Sequence, residues 1–193
     1  MRVTLLMIYD GEPAAEARVS RTGGIPFVTP EFVWPTCAAC KGAMQFIAQL
    51  LPDDVPGLEK ALLIFMCQND PGMCDDWNPR SGANKAYLFE ADGLRLAEVP
   101  AQGETMLGAV SGMRLADDAG EEDYVLGKIG GKPDWIQADE TPGCRKCSDY
   151  MDFYAQFDQG REFSTAINFG GDGLGYAFVC ATCHEAAFVW QCS

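Results

Sequence analysis

Eight of the nine cysteines stand in two sets whose spacing suits metal ligation. Cys37 and Cys40 form a Cys-x-x-Cys pair; the apolar run ALLIFMC then delivers Cys67, and Cys74 follows seven positions later. Cys144 and Cys147 repeat the pair, GYAFVC delivers Cys180, and Cys183 comes three positions on. Each pair sits where a strand meets a turn. Two such knuckles can place four thiolates at tetrahedral corners about 2.3 Å from one Zn²⁺, so the chain is expected to carry two zinc ions. The second set is the more compact. In the first, QNDPGM must fold as a longer loop to bring Cys74 round to Cys67.

Other cysteine chemistry fits less well. Four disulfides call for an oxidising compartment, but MRVTLLMIYD lacks the basic, apolar and cleavage regions of a secretory leader, so a cytoplasmic location is expected. A thioredoxin-type Cys-x-x-Cys belongs beside a βαβ pattern, which the sequence does not suggest. Buried free thiols or redox cysteines remain the alternative reading of both sets. Cys192 is left over and reads as an ordinary thiol at the end of a strand. His184, the one histidine, follows Cys183 and could replace a cysteine as ligand, although a residue next to a ligand usually points elsewhere. A nucleophile-histidine mechanism could use only His184, and no nucleophile signature accompanies it.

The elements that must position these cysteines also come in pairs. Gly23 to Gln49 superposes on Gly130 to Gln156 without a gap at an offset of 107, with ten of 27 positions identical. Chance would supply roughly one or two. The identities are Gly-Gly, two prolines, the Cys-x-x-Cys, Met, Phe, Ala and Gln. An internal duplication is the expected origin, dividing the chain into 1–107 and 108–193, each with its own zinc site. MQFIAQL alternates Met44, Phe46, Ala48 and Leu50 on one face, as MDFYAQF does with Met151, Phe153, Ala155 and Phe157; both read as half-buried strands. TLLMIY reads as an opening strand, and GYAFVC and AAFVWQC as a pair joined by ATCHE. AYLFEA and LRLAEV flank Asp92-Gly93, a strong hairpin signal. A turn or two of helix is expected near Glu12 to Val19 and Leu58 to Leu62, and DDAGEED reads as a solvated linker. The expected class is α+β, mostly antiparallel β, with two pseudo-equivalent repeats packed together.

Glycine-rich pieces carry no phosphate-binding chemistry here. GGDGLG misplaces its glycines for Gly-x-Gly-x-x-Gly and precedes a strand; GKIGGKP ends in Lys132-Pro133, where a phosphate loop needs Ser or Thr and a helix. The 193-residue chain has net charge −14, shared as −6 over residues 1–107 and −8 over 108–193. Eight thiolates and two divalent ions would take it to about −18. Such a charge disfavours nucleic acid, whose binding is built on Lys and Arg. It suits a basic protein or peptide, while a solvated acidic surface is the plainer account. No apolar run approaches the roughly 18 residues of a membrane span.

The run KIGGKPDWIQ, the Pro-x-Cys-x-x-Cys, Ala155 to Asp158, FGGDGLGYAF and HEAAFVWQC resemble the YwqG-like family of bacterial proteins of unknown function. Gly130, Gly131, Pro133, Trp135, Cys144, Cys147 and Gln156 are also similar to positions of the programmed cell death 2 family. That resemblance implies a cysteine-rich chaperone escorting a ribosomal protein, without the MYND-type finger of some members. The sequence thus points to a zinc-stabilised protein-binding or chaperone-like module. The competing expectation is an enzyme with a cleft between the halves, presenting Gln49, Gln156, Asp158 and Asp172.

Overall fold

The computed structural model describes residues 3–100, 107–160 and 167–193. These form β1 (Leu5–Tyr9), β2 (Arg21–Thr22), β3 (Phe27–Val28), β4 (Gln45–Leu50), β5 (Ala61–Met66), β6 (Asn84–Phe89), β7 (Arg95–Leu96), β8 (Ser111–Ala116), β9 (Val125–Ile129), β10 (Asp152–Asp158), β11 (Leu174–Cys180) and β12 (Glu185–Gln191). Among the described residues there is no helix. None is therefore long and apolar enough to cross a membrane.

The expected α+β class is corrected to all-β, and the two expected helical turns fail for local reasons. Between Glu12 and Val19 the buried Arg21 guanidinium claims the carbonyls of Ala15 and Ala17, at 3.4 and 3.3 Å, which a helix would need for itself. Near Leu58, Pro56 and the left-handed Gly57 (φ 73°) break the chain, and Ala61 and Leu62 already belong to β5.

Ten strands make one antiparallel sheet in the order β12-β11-β10-β9-β1-β8-β2-β4-β5-β6. It curls until its edges β6 and β12 lie side by side, giving a nearly closed barrel with one seam that no hydrogen-bonded register spans. The sheet runs through both halves of the chain: β1 lies between β8 and β9. DDAGEED is the exposed connection from β8 to β9, on either side of β1.

The interior is filled from nine of these strands, including Met7, Ala48, Ile64, Ala86, Leu115, Leu126, Phe157, Ala177 and Phe188. Two further cores lie outside the barrel. Trp34, Val28 and Phe32 cover Phe46, Leu63 and Phe65 on β4 and β5, while Trp135 and Met151 cover Tyr176 and Phe178 on β11. Apolar cover on both faces explains why β4 and β5 are buried at every position instead of half-buried.

Two readings of local pattern change accordingly. A bulge between Phe46 and Ala48 places Phe46 in an outer core and Ala48 and Leu50 in the interior, so the expected single face is split. Phe153 and Ala155 are divided by a bulge in the same way. Asp92-Gly93 does turn the chain (Gly93 φ 72°), but β7 pairs with β3 in a separate two-stranded ribbon, not with β6. The GYAFVC and AAFVWQC segments do pair, as β11 and β12.

Registers recur at the spacing seen in the sequence. Arg21 pairs with Gln49 and Lys128 with Gln156; Gly23 N–H donates to the Ile47 carbonyl and Gly130 N–H to that of Tyr154. Gly23 (φ 66°) has the Ala109 carbonyl oxygen 2.2 Å from where a Cβ would stand. Only glycine can make that turn.

Candidate metal centres

Each Cys-x-x-Cys is shaped by backbone hydrogen bonds before any ligand is considered. Thr36 and Ala43 form an antiparallel bridge; inside it Cys37 N–H donates to the Gly42 carbonyl at 2.9 Å and Lys41 N–H to that of Cys37 at 3.0 Å. Lys41 takes a left-handed φ of 66° to close the turn. The second knuckle has the same form: a Gly143 to Tyr150 bridge, Cys144 N–H to Asp149 at 2.8 Å, Ser148 N–H to Cys144 at 3.0 Å, and Ser148 at φ 67°. Such a turn exposes amide groups around the sulfurs. It also aims both sulfurs of the pair toward one point.

The opposing cysteines come from the sheet. Cys67 directly follows β5, where its N–H donates to the Ala83 carbonyl at 2.8 Å, and Cys74 returns from the Pro71 to Cys74 turn. Cys180 ends β11 and Cys183 lies in the turn to β12. The structure thus brings together Cys37, Cys40, Cys67 and Cys74 in one group, and Cys144, Cys147, Cys180 and Cys183 in another, with the four sulfurs of each within 4.8 Å of one another.

These distances decide what the groups can be. Cys40 and Cys67 Sγ are 3.6 Å apart and Cys147 and Cys180 Sγ 3.8 Å apart. A disulfide requires about 2.05 Å. A tetrahedron with metal–sulfur bonds of about 2.3 Å has edges of about 3.8 Å. Each tetrad could therefore hold a metal ion.

Polar groups around the sulfurs fit the same role. The Asn69 amide donates to Cys67 Sγ at 3.5 Å and to Cys40 Sγ at 3.6 Å, while also reaching the Ala43 carbonyl at 3.0 Å. Lys146 N–H donates to Cys144 Sγ at 3.4 Å. Such donors favour thiolate over thiol. Cys144, with the backbone N–H groups of Cys147 and Lys146 directed at it, is pulled down to about 7. Cys183 moves the other way, to about 12, chiefly through its hydrogen bond to Cys147, and burial pushes the Cys74 thiol up. Four thiols this close cannot all ionise unaided; a divalent cation removes that conflict. Asn69 lay inside the QNDPGM loop, and its amide two residues beyond Cys67 was the overlooked sequence signal.

The remaining candidates are placed elsewhere. His184 is exposed at φ 52° and is not in the second tetrad; with Lys60 and Tyr154 it lines a cavity of about 140 Å³. Cys192 packs against the barrel interior. Gln49 and Gln156 are buried and structural: their Oε1 atoms accept from Phe27 N–H and Asp134 N–H, both at 2.9 Å. Gln49 and Gln156 alternate with the interior residues Ala48, Leu50, Ala155 and Phe157, so both point out of the barrel, on strands five steps apart, and do not face a common cleft. Burial pushes the Asp158 carboxyl up, and Asp172 occupies a left-handed turn position at φ 53°. No protein-family model matches the chain, and no curated protein matches it either.

Proposed function

We propose that this protein is a zinc-stabilised protein-binding module in which two Cys₄ centres fix the loops at the ends of the barrel. The observation that carries the reading is the pair of sulfur tetrads at metal-ligand spacing, assembled by knuckles of the same backbone form. All-sulfur tetrahedral sites suit zinc or iron; zinc needs no redox chemistry, and a Cys₄ site leaves no open coordination position for substrate. The zinc then acts through structure. Its partner is a basic protein or peptide in the cytoplasm, a reading supported by the net charge of −14 and by the resemblance to escort proteins.

Metal analysis of purified protein tests the first part: about two zinc per chain, retained under thiol reagents and lost with a chelator, is the expected result. Zero metal with nine free thiols overturns it. Capture of partners from native extract at low and high salt tests the second part. A basic partner released as salt rises toward 1 M is expected; tight nucleic-acid binding at physiological salt refutes it.

A further inference from the structure

The seam between β6 and β12 holds a cleft of about 230 Å³ whose charge is opposite to that of the whole chain. Arg80 reaches it from the loop after Cys74, Lys85 from β6, and Arg145 from between Cys144 and Cys147. Among the described residues its lining contains one carboxylate, Glu185, which Lys146 already engages at 2.7 Å. Among the described residues no ion pair occupies Arg80, Lys85 or Arg145. Three of the 14 basic residues thus gather in one cleft of a protein carrying 28 acidic ones. Gathering like charges costs free energy that an anion in the cleft would offset.

The Arg145 guanidinium is anchored across the seam by the Pro79 carbonyl at 2.6 Å, which fixes it beside the backbone that carries Arg80. Gly143 lines the cleft close to Arg80, whose Nη2 lies 3.6 Å from where a Cβ would stand, an ordinary contact distance. Guanidinium forks match the oxygens of a phosphate group, and an ammonium adds a point charge. Ala86, Ala186 and Met151 supply apolar wall for a short carbon skeleton. The volume is below the roughly 300–1,000 Å³ of drug-sized pockets, which suits a compact ligand. We propose that the cleft binds a small phosphate monoester, held by Arg80, Lys85 and Arg145.

The test is calorimetric titration of the metal-loaded, full-length protein at low ionic strength with glycerol 3-phosphate, inorganic phosphate, acetate and a phosphoserine hexapeptide. Saturable one-site binding of glycerol 3-phosphate is expected, with acetate not bound and the peptide weaker. Arg80→Gln and Arg145→Gln should each weaken binding about tenfold and Lys85→Gln several-fold, with Lys132→Gln unchanged. Thermal melts and metal content identify any variant with a damaged fold; Arg80→Gln and Lys85→Gln, away from the cysteine knuckle, keep the test decisive if Arg145→Gln is damaged. Absence of saturable binding, equal binding of acetate, tighter binding of the peptide, or indifference to Arg80→Gln and Lys85→Gln overturns the proposal.

Discussion

Gly127 marks how tightly the centre of the sheet is closed. Its φ of 137° and the Gln156 carbonyl oxygen, 2.0 Å from where a Cβ would stand, leave no place for a side chain. Gly127→Ala should therefore lose on the order of 2–4 kcal/mol, read as a fall in Tm of about 5–15 °C. Asp158 offers a test of opposite sign. Burial, against a hydrogen bond from Gln156, raises its folded carboxyl above the unfolded value, so the folded state prefers the proton. Stability is then lost as pH rises from the unfolded value near 3.9 through the folded one. Asp158→Asn should raise Tm at pH 7 and leave it unchanged at pH 3, as followed by circular dichroism melts. Cys144→Ser should lower bound metal from about two ions per chain to about one and destabilise the second knuckle, whereas Cys192→Ser should leave metal content unchanged. These residues differ in legibility. The cysteines declared themselves by spacing, but Gly127 owes its importance to β1 and β10 packed against it, and Asp158 to its burial.

Strand identity was largely readable and strand partnership was not. β1, β4, β10, β11 and β12 lie where hydrophobic runs and turn residues placed them, because a local pattern specifies an extended, buried segment. The bulges after Phe46 and Phe153 defeated the simple alternation, since one extra residue reverses the face of everything beyond it. Asp92-Gly93 announced a turn correctly, yet β7 found its partner in β3, whose paired residues lie 67 and 69 positions earlier. The position of β1 has the largest consequence. It sits between β8 and β9, so residues 1–107 expressed alone lack both neighbours of their first strand. Fragments 1–107 and 108–193, prepared separately, should each give poorly dispersed amide spectra. A well-dispersed spectrum from either would show that the central pairing is dispensable.

The cysteine tetrads and the barrel are coupled, because Cys67 directly follows β5 and Cys180 ends β11 while the knuckles rest on the outer cores containing Phe65 and Phe178. Removing the ions should therefore be felt globally. A chelator is expected to lower Tm by about 10 °C or more, with re-addition of zinc restoring it; an unchanged melt would mean that the tetrads do not bind stabilising metal. The acidity of the chain acts at longer range and governs encounter more than fold.

The sequence by itself determined the two cysteine sets, the matching knuckles that present them, the extended character of most of the chain and its negative charge. Each depends on residue types at short separation, where backbone sterics and side-chain chemistry act locally. Tertiary structure decided that the strands share one curled sheet, that β1 is inserted between β8 and β9, that Gln49 and Gln156 brace separate outer segments, and that Arg80, Lys85 and Arg145 converge on the β6–β12 seam. Those outcomes turn on which distant edges meet when apolar faces close around a common interior. Contacts across 60 or more residues, such as Arg145 with Pro79, leave no periodic trace in the chain that makes them.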